Sequence, residues 1–328
     1  MIQRIQFWLT LAGMCLTTLA HNAWGQSAAA NWEVQKLAYE VPTAVFDTSS
    51  ISGQAQVTMS DIRVIDAQSS KPRTLTSGTM PAWSPDGEHL AFCTRAGKNI
   101  GQIQVINADG TGQKQLTSTK GSARFPDWSP DGTKIAFTAF DGNNSDIYVI
   151  DNNRENLTHI CPGYAARWSP DGSMFVLMRG TRTGNSERTI WVATADGKQS
   201  KIALTGDKFT QDPNWLPNAK GIVFSAVQNG RQSVFRSNFD GTGLKKIDGD
   251  DQGGRFTWSE PTVSPDGKQL IADLKCVSGC ASGWENGIQT PIVIVDMDTH
   301  RQKVPANGVH PSVVWKGTAP VPSPSPKP

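Results

Sequence analysis

Three ionisable residues occupy the same place in three successive copies of a short motif. Asp212, Glu260 and His310 each stand directly before a Pro-x-Trp or Pro-x-Val sequence. Two carboxylates and an imidazole are adequate ligands for a divalent cation, although no ligand spacing requires one. A structural role is the alternative, because an Asp at such a position can accept backbone N–H bonds from a turn, and His310 could pack where the fold closes.

Two long segments close to these residues carry aromatic and charged side chains. Arg255 and Trp258 precede Glu260 in one segment, and Trp284 and Glu285 lie in the next. Aromatic and charged residues on long loops over a rigid scaffold are typical of a recognition surface. Together with the three ionisable residues above, they predict a surface that binds a protein or peptide.

The second of these segments also contains the sequence Cys276-Val-Ser-Gly-Cys280. An oxidising compartment would allow a local disulfide between these two cysteines. Zinc is a weaker alternative, since a lone Cys-x3-Cys lacks a second ligand pair. We expect Cys93 and Cys161 to be buried as small hydrophobic residues.

The elements that position these residues form a repeat. The pentapeptide Trp-Ser-Pro-Asp-Gly occurs at 83–87, 128–132 and 168–172, and degenerate copies continue to the C-terminal region. Aligned on the Trp position, six copies are 40 to 50 residues apart, which is the period of a propeller or another repeat array. The repeat predicts one closed domain.

Each period contains four short strand-like segments and no helical periodicity. The Pro-Asp-Gly residues suit a tight turn, and the segment after it is apolar. Further along, a β-branched segment recurs six times, at 61–66, 102–107, 146–151, 189–194, 233–238 and 291–296. A hairpin turn and a short fourth strand follow, such as Gln115–Thr117 or Asn156–Thr158. The sequence therefore predicts an all-β, six-bladed β-propeller with four-stranded blades.

Closure of the ring is predicted to join the two ends of the chain. A C-terminal strand at 311–313 would complete a blade begun at the N-terminus, whose second strand would be 43–46. The segment 32–40 is also strand-like and could compete for the inner position of that blade. A closed ring protects sheet edges that would otherwise pair with other chains.

Propeller connectivity predicts which residues share a face. Loops leading into each inner strand and loops joining the second and third strands emerge together. The residue before each Pro-x-Trp should therefore line the channel mouth: Met80, Phe125, Ala165, Asp212, Glu260 and His310. The recurring Trp83, Trp128, Trp168 and Trp215 are expected to pack between blades, and the turn aspartates Asp86, Asp131, Asp171 and Asp266 to be structural.

The chain ends differ in composition from the repeats. Residues 1–25 have the basic, apolar and small-residue regions of a secretory signal, with cleavage expected before Gln26 and a second option at Ala28-Ala29-Ala30. We predict the propeller at 32–316 and an extended Pro/Ser-rich tail at 317–328. The protein should be periplasmic or secreted, without a stable membrane span after cleavage, and monomeric.

Charge and motifs narrow the function classes. The net charge is +2 and no Lys/Arg run is present, which argues against nucleic-acid binding. The sequence contains no Gly-x-Ser-x-Gly elbow, no His-Glu-x-x-His and no Gly-rich phosphate loop, so catalysis is less expected than binding. A propeller can still assemble a site from separate blades.

The segments Trp128–Phe137, Asp146–Asp151 and Leu157-Thr158 resemble the repeat of the TolB-type six-bladed propeller family. The likeness covers roughly residues 43–316. It implies a protein-binding role in the cell envelope, here on a free-standing propeller without the α/β domain that precedes the propeller in TolB. No cofactor is expected. The alternative is a carbohydrate-active or sugar-binding propeller, similar to oligogalacturonate lyases, with a divalent cation at the channel mouth.

Overall fold

The computed structural model describes 14 stretches of the chain. They are residues 33–46, 55–67, 71–94, 101–142, 144–180, 188–197, 200–204, 210–228, 231–238, 241–247, 256–276, 291–299, 301–307 and 309–316. These residues form strands β1 to β24 and no helix, arranged in six four-stranded antiparallel sheets. None of the described residues belongs to a helix with the length and apolarity needed to cross a membrane.

Each sheet is one blade of a six-bladed β-propeller, and the predicted fold class is confirmed. The first three blades, each written from the inner to the outer strand, have the following bounds. Blade 1 is β4 Thr79–Trp83, β5 His89–Cys93, β6 Ile103–Asn107 and β7 Lys114–Gln115; blade 2 is β8 Ser122–Trp128, β9 Lys134–Asp141, β10 Asn144–Asp151 and β11 Thr158–Pro162; blade 3 is β12 Tyr164–Trp168, β13 Met174–Arg179, β14 Thr189–Thr194 and β15 Ser200–Leu204.

The remaining blades follow the same order. Blade 4 is β16 Thr210–Trp215, β17 Gly221–Gln228, β18 Arg231–Asn238 and β19 Lys245–Lys246; blade 5 is β20 Phe256–Val263, β21 Gln269–Cys276, β22 Pro291–Asp296 and β23 Gln302–Asn307; blade 6 is β24 Val309–Lys316, β1 Glu33–Phe46, β2 Ala55–Asp66 and β3 Arg73–Ser77. The predicted fourth strand of blade 2 was placed two residues too early, because β11 begins at Thr158.

Blade 6 closes the ring as predicted, with one C-terminal and three N-terminal strands. The inner strand β24 pairs with β1, for example Val313 with Leu37 and Ser312 with Ala38. The segment 32–40 does not compete for the inner position. From Glu33 onward it forms the first part of β1, the second strand of the blade, together with the predicted 43–46.

The core lies between blades, where the recurring tryptophans pack as predicted. Trp128 packs in a cluster that combines Val105 of blade 1 with Phe137 of blade 2. Trp215 does the same between blades 3 and 4. The indole Nε1 of Trp128 donates to the carbonyl of Ala82 at 3.1 Å and that of Trp215 to the carbonyl of Arg167 at 2.9 Å, so these two rings also bond the preceding inner strand. Burial of one such side chain stabilises the fold by about 1.5–3 kcal/mol.

At one end of the ring, which we name the turn face, the inner strands run into the Ser-Pro-Asp-Gly turns. In blade 2 the amide of Gly132 donates to the carbonyl of Ser129 at 2.9 Å, and Gly132 has φ +70°. Asp131 accepts a hydrogen bond from the Ser129 hydroxyl at 2.6 Å and from the Thr133 amide at 3.0 Å. The turn aspartates are therefore structural. The opposite end, where the inner strands begin, is the mouth face.

Candidate functional site

A β-bulge interrupts every inner strand near the mouth face. In blade 1, Thr79 pairs with Cys93 and Ala82 with Ala91, so two residues of β4 oppose one residue of β5. Equivalent register shifts occur in the other five inner strands. The second bulged residue is proline in five of the six blades, which suits a position where no ladder N–H is needed.

The first bulged residue is the position that the sequence analysis placed at the channel mouth. In the first five blades it adopts a left-handed conformation with φ between 50° and 56°: Met80, Phe125, Ala165, Asp212 and Glu260. Such a φ is unfavourable for a residue with a Cβ atom, by about 1–2 kcal/mol. A repeated strain of this kind indicates that the surrounding packing imposes the backbone geometry.

Side chains of the preceding blade hold these bulges in place. The amide of Ala165 donates to the Thr138 hydroxyl at 3.0 Å, and the amide of Met80 donates to Oε2 of Glu40 at 3.4 Å. The amide of Glu260 donates to Oδ2 of Asp212 at 3.3 Å. Asp212 therefore makes the backbone contact that is expected if its role is structural.

The channel behind the mouth contains a cavity of about 190 Å³, lined by residues from all six inner strands. Blades 6, 1 and 2 supply apolar side chains, including Val313, Met80 and Phe125. Blades 2 to 5 supply most of the polar ones, which are Asp127, Arg167, Asn214, Glu260 and Thr262, and blade 6 adds Ser312. The cavity is therefore amphipathic, with an apolar side and a polar side.

Three of the six predicted mouth residues line this cavity, namely Met80, Phe125 and Glu260. Asp212 is not among the described residues that line it. The side chain of His310 lies outside the described part of the structure, so its predicted role stays a prediction. Within that part, no three His, Cys, Asp or Glu side chains are grouped so that they could hold a metal ion.

The residue that directly precedes each Trp position was not predicted from the sequence as a channel residue. Two of them, Asp127 and Ser312, reach toward the following blade, whereas Arg167 reaches back toward Asp127 in the preceding blade. Oδ2 of Asp127 accepts the Trp168 amide of blade 3 at 2.8 Å, and Ser312 of blade 6 accepts the Trp83 amide of blade 1 at 2.9 Å. Strand alternation predicts only that they lie on the face of the blade opposite to the Trp ring, since neighbouring side chains point to opposite faces of a sheet.

Asp127 and Arg167 form a charged pair in the channel, with 3.4 Å between Oδ1 and the guanidinium NH1. Burial raises the pKa of Asp127, and Arg167 and the Trp168 amide offset only part of that increase. The Asp127 side chain is 22% exposed, although the residue lies deep in the ring. The pair gives the polar side of the cavity a fixed hydrogen-bonding pattern.

Trp258 requires a correction. It was predicted to stand on a loop in the partner-binding surface, but β20 already begins at Phe256, and Trp258 pairs with Leu274 inside blade 5. Its side chain is 2% exposed and packs in the core between blades 4 and 5. A residue so deeply buried cannot contact a partner in the folded protein.

The other predicted loop residues lie outside the described residues: Arg255, Trp284, Glu285 and Cys280. The side chain of Cys276 also lies outside them, so the disulfide between Cys276 and Cys280 stays a prediction. Cys93 and Cys161 are free and buried, as expected.

Comparisons with known proteins agree on the fold. The chain is 38% identical over 53 residues to the Tol-Pal system protein TolB of Wolbachia sp. subsp. Drosophila simulans (strain wRi), a match that covers 16% of this chain and 13% of that protein. The crystal structure of TolB from Acinetobacter baumannii superposes with a TM-score of 0.64 and 21% identity, covering 85% of this chain and 66% of that one. The putative TolB of Agrobacterium tumefaciens has a TM-score of 0.61 and 14% identity, covering 88% and 99%.

The structural similarities at this level of identity concern the fold. Membership of a family follows from the repeat itself, because the family model of the TolB β-propeller domain matches residues 48–247 and 98–310. These matches cover most of the six blades. The chain therefore belongs to the TolB β-propeller domain family.

Proposed function

We propose that this chain is an exported, non-catalytic scaffold of the cell envelope that captures an extended peptide segment of another protein at the channel mouth. The amphipathic cavity carries this proposal. One side is formed by Met80, Phe125 and Val313, and the other by Asp127, Arg167 and Glu260. A peptide that inserts one side chain would meet apolar contacts and hydrogen-bonding groups together.

The size of the cavity supports a peptide side chain over a sugar chain. Ligand pockets for small molecules usually enclose about 300–1,000 Å³. At about 190 Å³, the described channel is smaller than that range. An inserted side chain would fit, while an oligosaccharide would have to bind mainly outside the channel.

The rigidity of the mouth also favours binding. The bulges at Met80, Ala165 and Glu260 are fixed by hydrogen bonds from the neighbouring blade. Because these contacts exist before a partner arrives, little ordering is needed at the surface, which favours affinity. The loops of blades 4 to 6, with Arg255, Trp284 and Glu285, would extend the contact surface around the mouth.

The named relatives support the same class of role. The Wolbachia relative is named as a component of the Tol-Pal system, and assembly with other proteins is what such a name implies. Since this chain matches only 13% of that protein, its own partner has to be identified directly. A fold alone does not establish a function.

Capture from an envelope extract of the source organism tests the proposal. Glu260→Ala and Phe125→Ala should each reduce capture of the partner at least about tenfold, as expected for contacts in the centre of an interface. Glu155→Ala is the matched control, because Glu155 is exposed on the turn that joins β10 and β11 at the opposite face. Equal capture by all three variants would contradict binding at the mouth.

The same preparations test the remaining predictions about this face. Trp284→Ala should reduce capture if the blade 5 loop contributes. Elemental analysis tests the predicted absence of a cofactor. A stoichiometric divalent ion that is lost with Asp212→Ala or His310→Ala would support the lyase-like alternative instead. The mass of the secreted protein would show whether the signal is removed before Gln26.

A further inference from the structure

A second recess lies on the turn face, between blades 2 and 3. It has a volume of about 520 Å³ and an apolar floor formed by Val149, Ile160, Pro130, Pro170 and Trp168. It is separate from the channel and from the proposed peptide site at the mouth. We name it the turn-face groove.

Trp168 gives the groove an accessible aromatic surface. Trp128 and Trp215 are at most 8% exposed, and their Nε1 atoms donate to carbonyls of the preceding blade at 3.1 and 2.9 Å. Trp168 is only half-buried, and its Nε1 has no hydrogen-bond partner among the described residues. Its ring packs on Phe175 with 4.2 Å between centroids, which holds the indole in place beside the groove.

The rim of the groove is acidic. Asp131, Asp171 and Asp196 line it, and the one lysine beside them, Lys134, is paired with Asp151 at 2.5 Å. Burial alone would raise the pKa of Asp131 and Asp171, but hydrogen bonds from neighbouring Ser and Thr residues outweigh it and lower both. The rim is therefore negatively charged at neutral pH and disfavours an acidic ligand.

A segment of this chain has the complementary chemistry. Residues 317–328, Gly-Thr-Ala-Pro-Val-Pro-Ser-Pro-Ser-Pro-Lys-Pro, contain proline at every second position from Pro320, one positive charge at Lys327 and no acidic side chain. Aromatic-lined grooves commonly bind proline-rich segments in the polyproline II conformation. Prolines can pack on an indole, and Lys327 can face carboxylates.

The segment starts on the correct face and is long enough. It follows Lys316, the last residue of the inner strand β24, and inner strands end at the turn face. Twelve residues of polyproline II span about 37 Å, at about 3.1 Å per residue. Six sheets packed about 10 Å apart form a ring roughly 20 Å across at mid-blade. The segment can therefore reach from blade 6 to the groove on the far side.

We propose that residues 317–328 bind in the turn-face groove between blades 2 and 3 of the same molecule, with prolines against Trp168 and Lys327 at the acidic rim. The segment then covers the accessible indole and leaves the mouth face open. This contact is independent of the proposed peptide capture at the mouth.

Photo-crosslinking in the full chain tests the contact. With p-benzoylphenylalanine in place of Pro324, irradiation should give a product of monomer mass, in which the label is joined to peptides of blades 2 and 3 that contain Pro130, Ile160 or Pro170. Crosslinks to other blades, products of dimer mass or the absence of a crosslink to these peptides would overturn the proposal.

Reversing the charge of an exposed rim residue tests the same contact and leaves the buried core unchanged. Asp196→Lys should lower the crosslink yield roughly threefold, because one surface attraction becomes a repulsion. Asp109→Lys is the matched control, since Asp109 occupies the same Asp-Gly hairpin turn in blade 1, outside the groove. Adding Lys327→Glu to Asp196→Lys should restore the yield. Equal effects of the two single reversals, or no recovery in the double variant, would overturn the assignment of Lys327 to this rim.

Discussion

The two faces of the ring differ in which features recur from blade to blade. On the turn face the side chains repeat, since the Ser and Asp of each Ser-Pro-Asp-Gly turn make the same hydrogen bond in blades 1, 2, 3 and 5 at 2.5–2.6 Å. On the mouth face the backbone of the first bulged residue repeats, but its side chain does not. The bulged residue has nearly the same φ in five blades, but its identity changes from Met to Phe, Ala, Asp and Glu.

This difference separates residues that build the ring from residues that are free to vary. A side chain repeated in several blades makes the same local contact each time, so its role is to form the blade. A position whose backbone is fixed while its side chain varies can carry a different group in each blade. The mouth is therefore where this propeller can acquire a specific partner without a change of fold.

The strongest test compares two adjacent residues of blade 4. Trp215 is repeated, is 5% exposed and donates from Nε1 to the Arg167 carbonyl at 2.9 Å. Asn214 is not repeated and lines the channel. Trp215→Ala should destabilise the protein by about 3–5 kcal/mol, as for other buried aromatic residues.

Asn214→Ala should cost no more than about 1 kcal/mol, because it removes one hydrogen bond to the Trp215 amide. Urea unfolding, followed by circular dichroism, measures both variants. Similar losses for the two would remove the distinction between repeated and variable positions.

The sequence was sufficient for the architecture because the repeat specifies each blade locally. It could not decide how far β1 extends, since that depends on pairs such as Val313 with Leu37, which are distant in the chain. The same limit explains Trp258. Its burial follows from the pairing of β20 with β21, whereas the segment before Glu260 has the composition of a loop.

For the site, alignment of the repeats located the bulged position but not all of the channel. Met80, Phe125 and Glu260 were found because each precedes the same motif. Asp127 and Arg167 were missed because they occupy the variable position directly before the Trp, for which the sequence alone predicted no role. Which side of a blade faces the channel depends on the convergence of six sheets, and a single repeat does not contain that information.

A second test concerns the closure seam on the turn face. A methyl group built on Gly132 would touch Pro85 at 3.8 Å, and one on Gly172 would touch Pro130 at 3.7 Å, so the turns of blades 2 and 3 pack on the proline of the preceding turn. Blade 6 has no such turn before blade 1. The methyl groups of Val314 and the stem of Lys36 take this place beside Gly87, and the Lys36 ammonium donates to the Gly87 carbonyl at 2.6 Å.

Lys36→Met should therefore destabilise the ring by about 1–2 kcal/mol, since it removes a charged hydrogen bond across the seam. Lys134→Met is the control, because Lys134 pairs with Asp151 within blade 2 and is 44% exposed. Loss of this exposed ion pair should lower the stability by less than about 1 kcal/mol. Thermal unfolding would measure the two variants, and an equal or larger loss for Lys134→Met would show that Lys36 does not replace the missing turn.

A smaller effect tests the repeated backbone of the mouth. Ala165 has φ +53°, whereas its neighbour Ala166 is 2% exposed and is not among the residues with positive φ. Ala165→Gly should leave stability unchanged or raise it by up to about 1 kcal/mol, because glycine tolerates this conformation. Ala166→Gly should lower it by about 1–2 kcal/mol through greater chain entropy and a lost methyl contact. Chemical unfolding measures the stability of both variants. A loss of stability in Ala165→Gly as large as in Ala166→Gly would mean that the bulge is not strained.

The two faces should also respond to pH with opposite signs. Burial alone would raise the pKa of Asp131 on the turn face, but the hydrogen bonds from Ser129 and Thr133 outweigh it and lower the pKa. A lowered pKa stabilises the folded state above the unfolded value of about 3.9, and this contribution is lost as pH falls through the folded value. Burial raises the pKa of Asp127 in the channel, so its contribution is present at low pH and is lost as pH rises through the folded value.

Substitution by asparagine should expose this contrast. Relative to the unmodified protein, Asp131→Asn should become less stable as pH rises from about 2 to 5, and by neutral pH the loss should be about 1 kcal/mol, typical of a capping carboxylate. Asp127→Asn should instead gain in relative stability as pH rises above about 4, since the cost of the buried charge is removed while the amide oxygen can still accept the Trp168 N–H. Urea midpoints measured across this range give both slopes. Slopes of the same sign would mean that the channel carboxylate is no harder to ionise than one in a turn, and the polar side of the channel would then resemble ordinary surface.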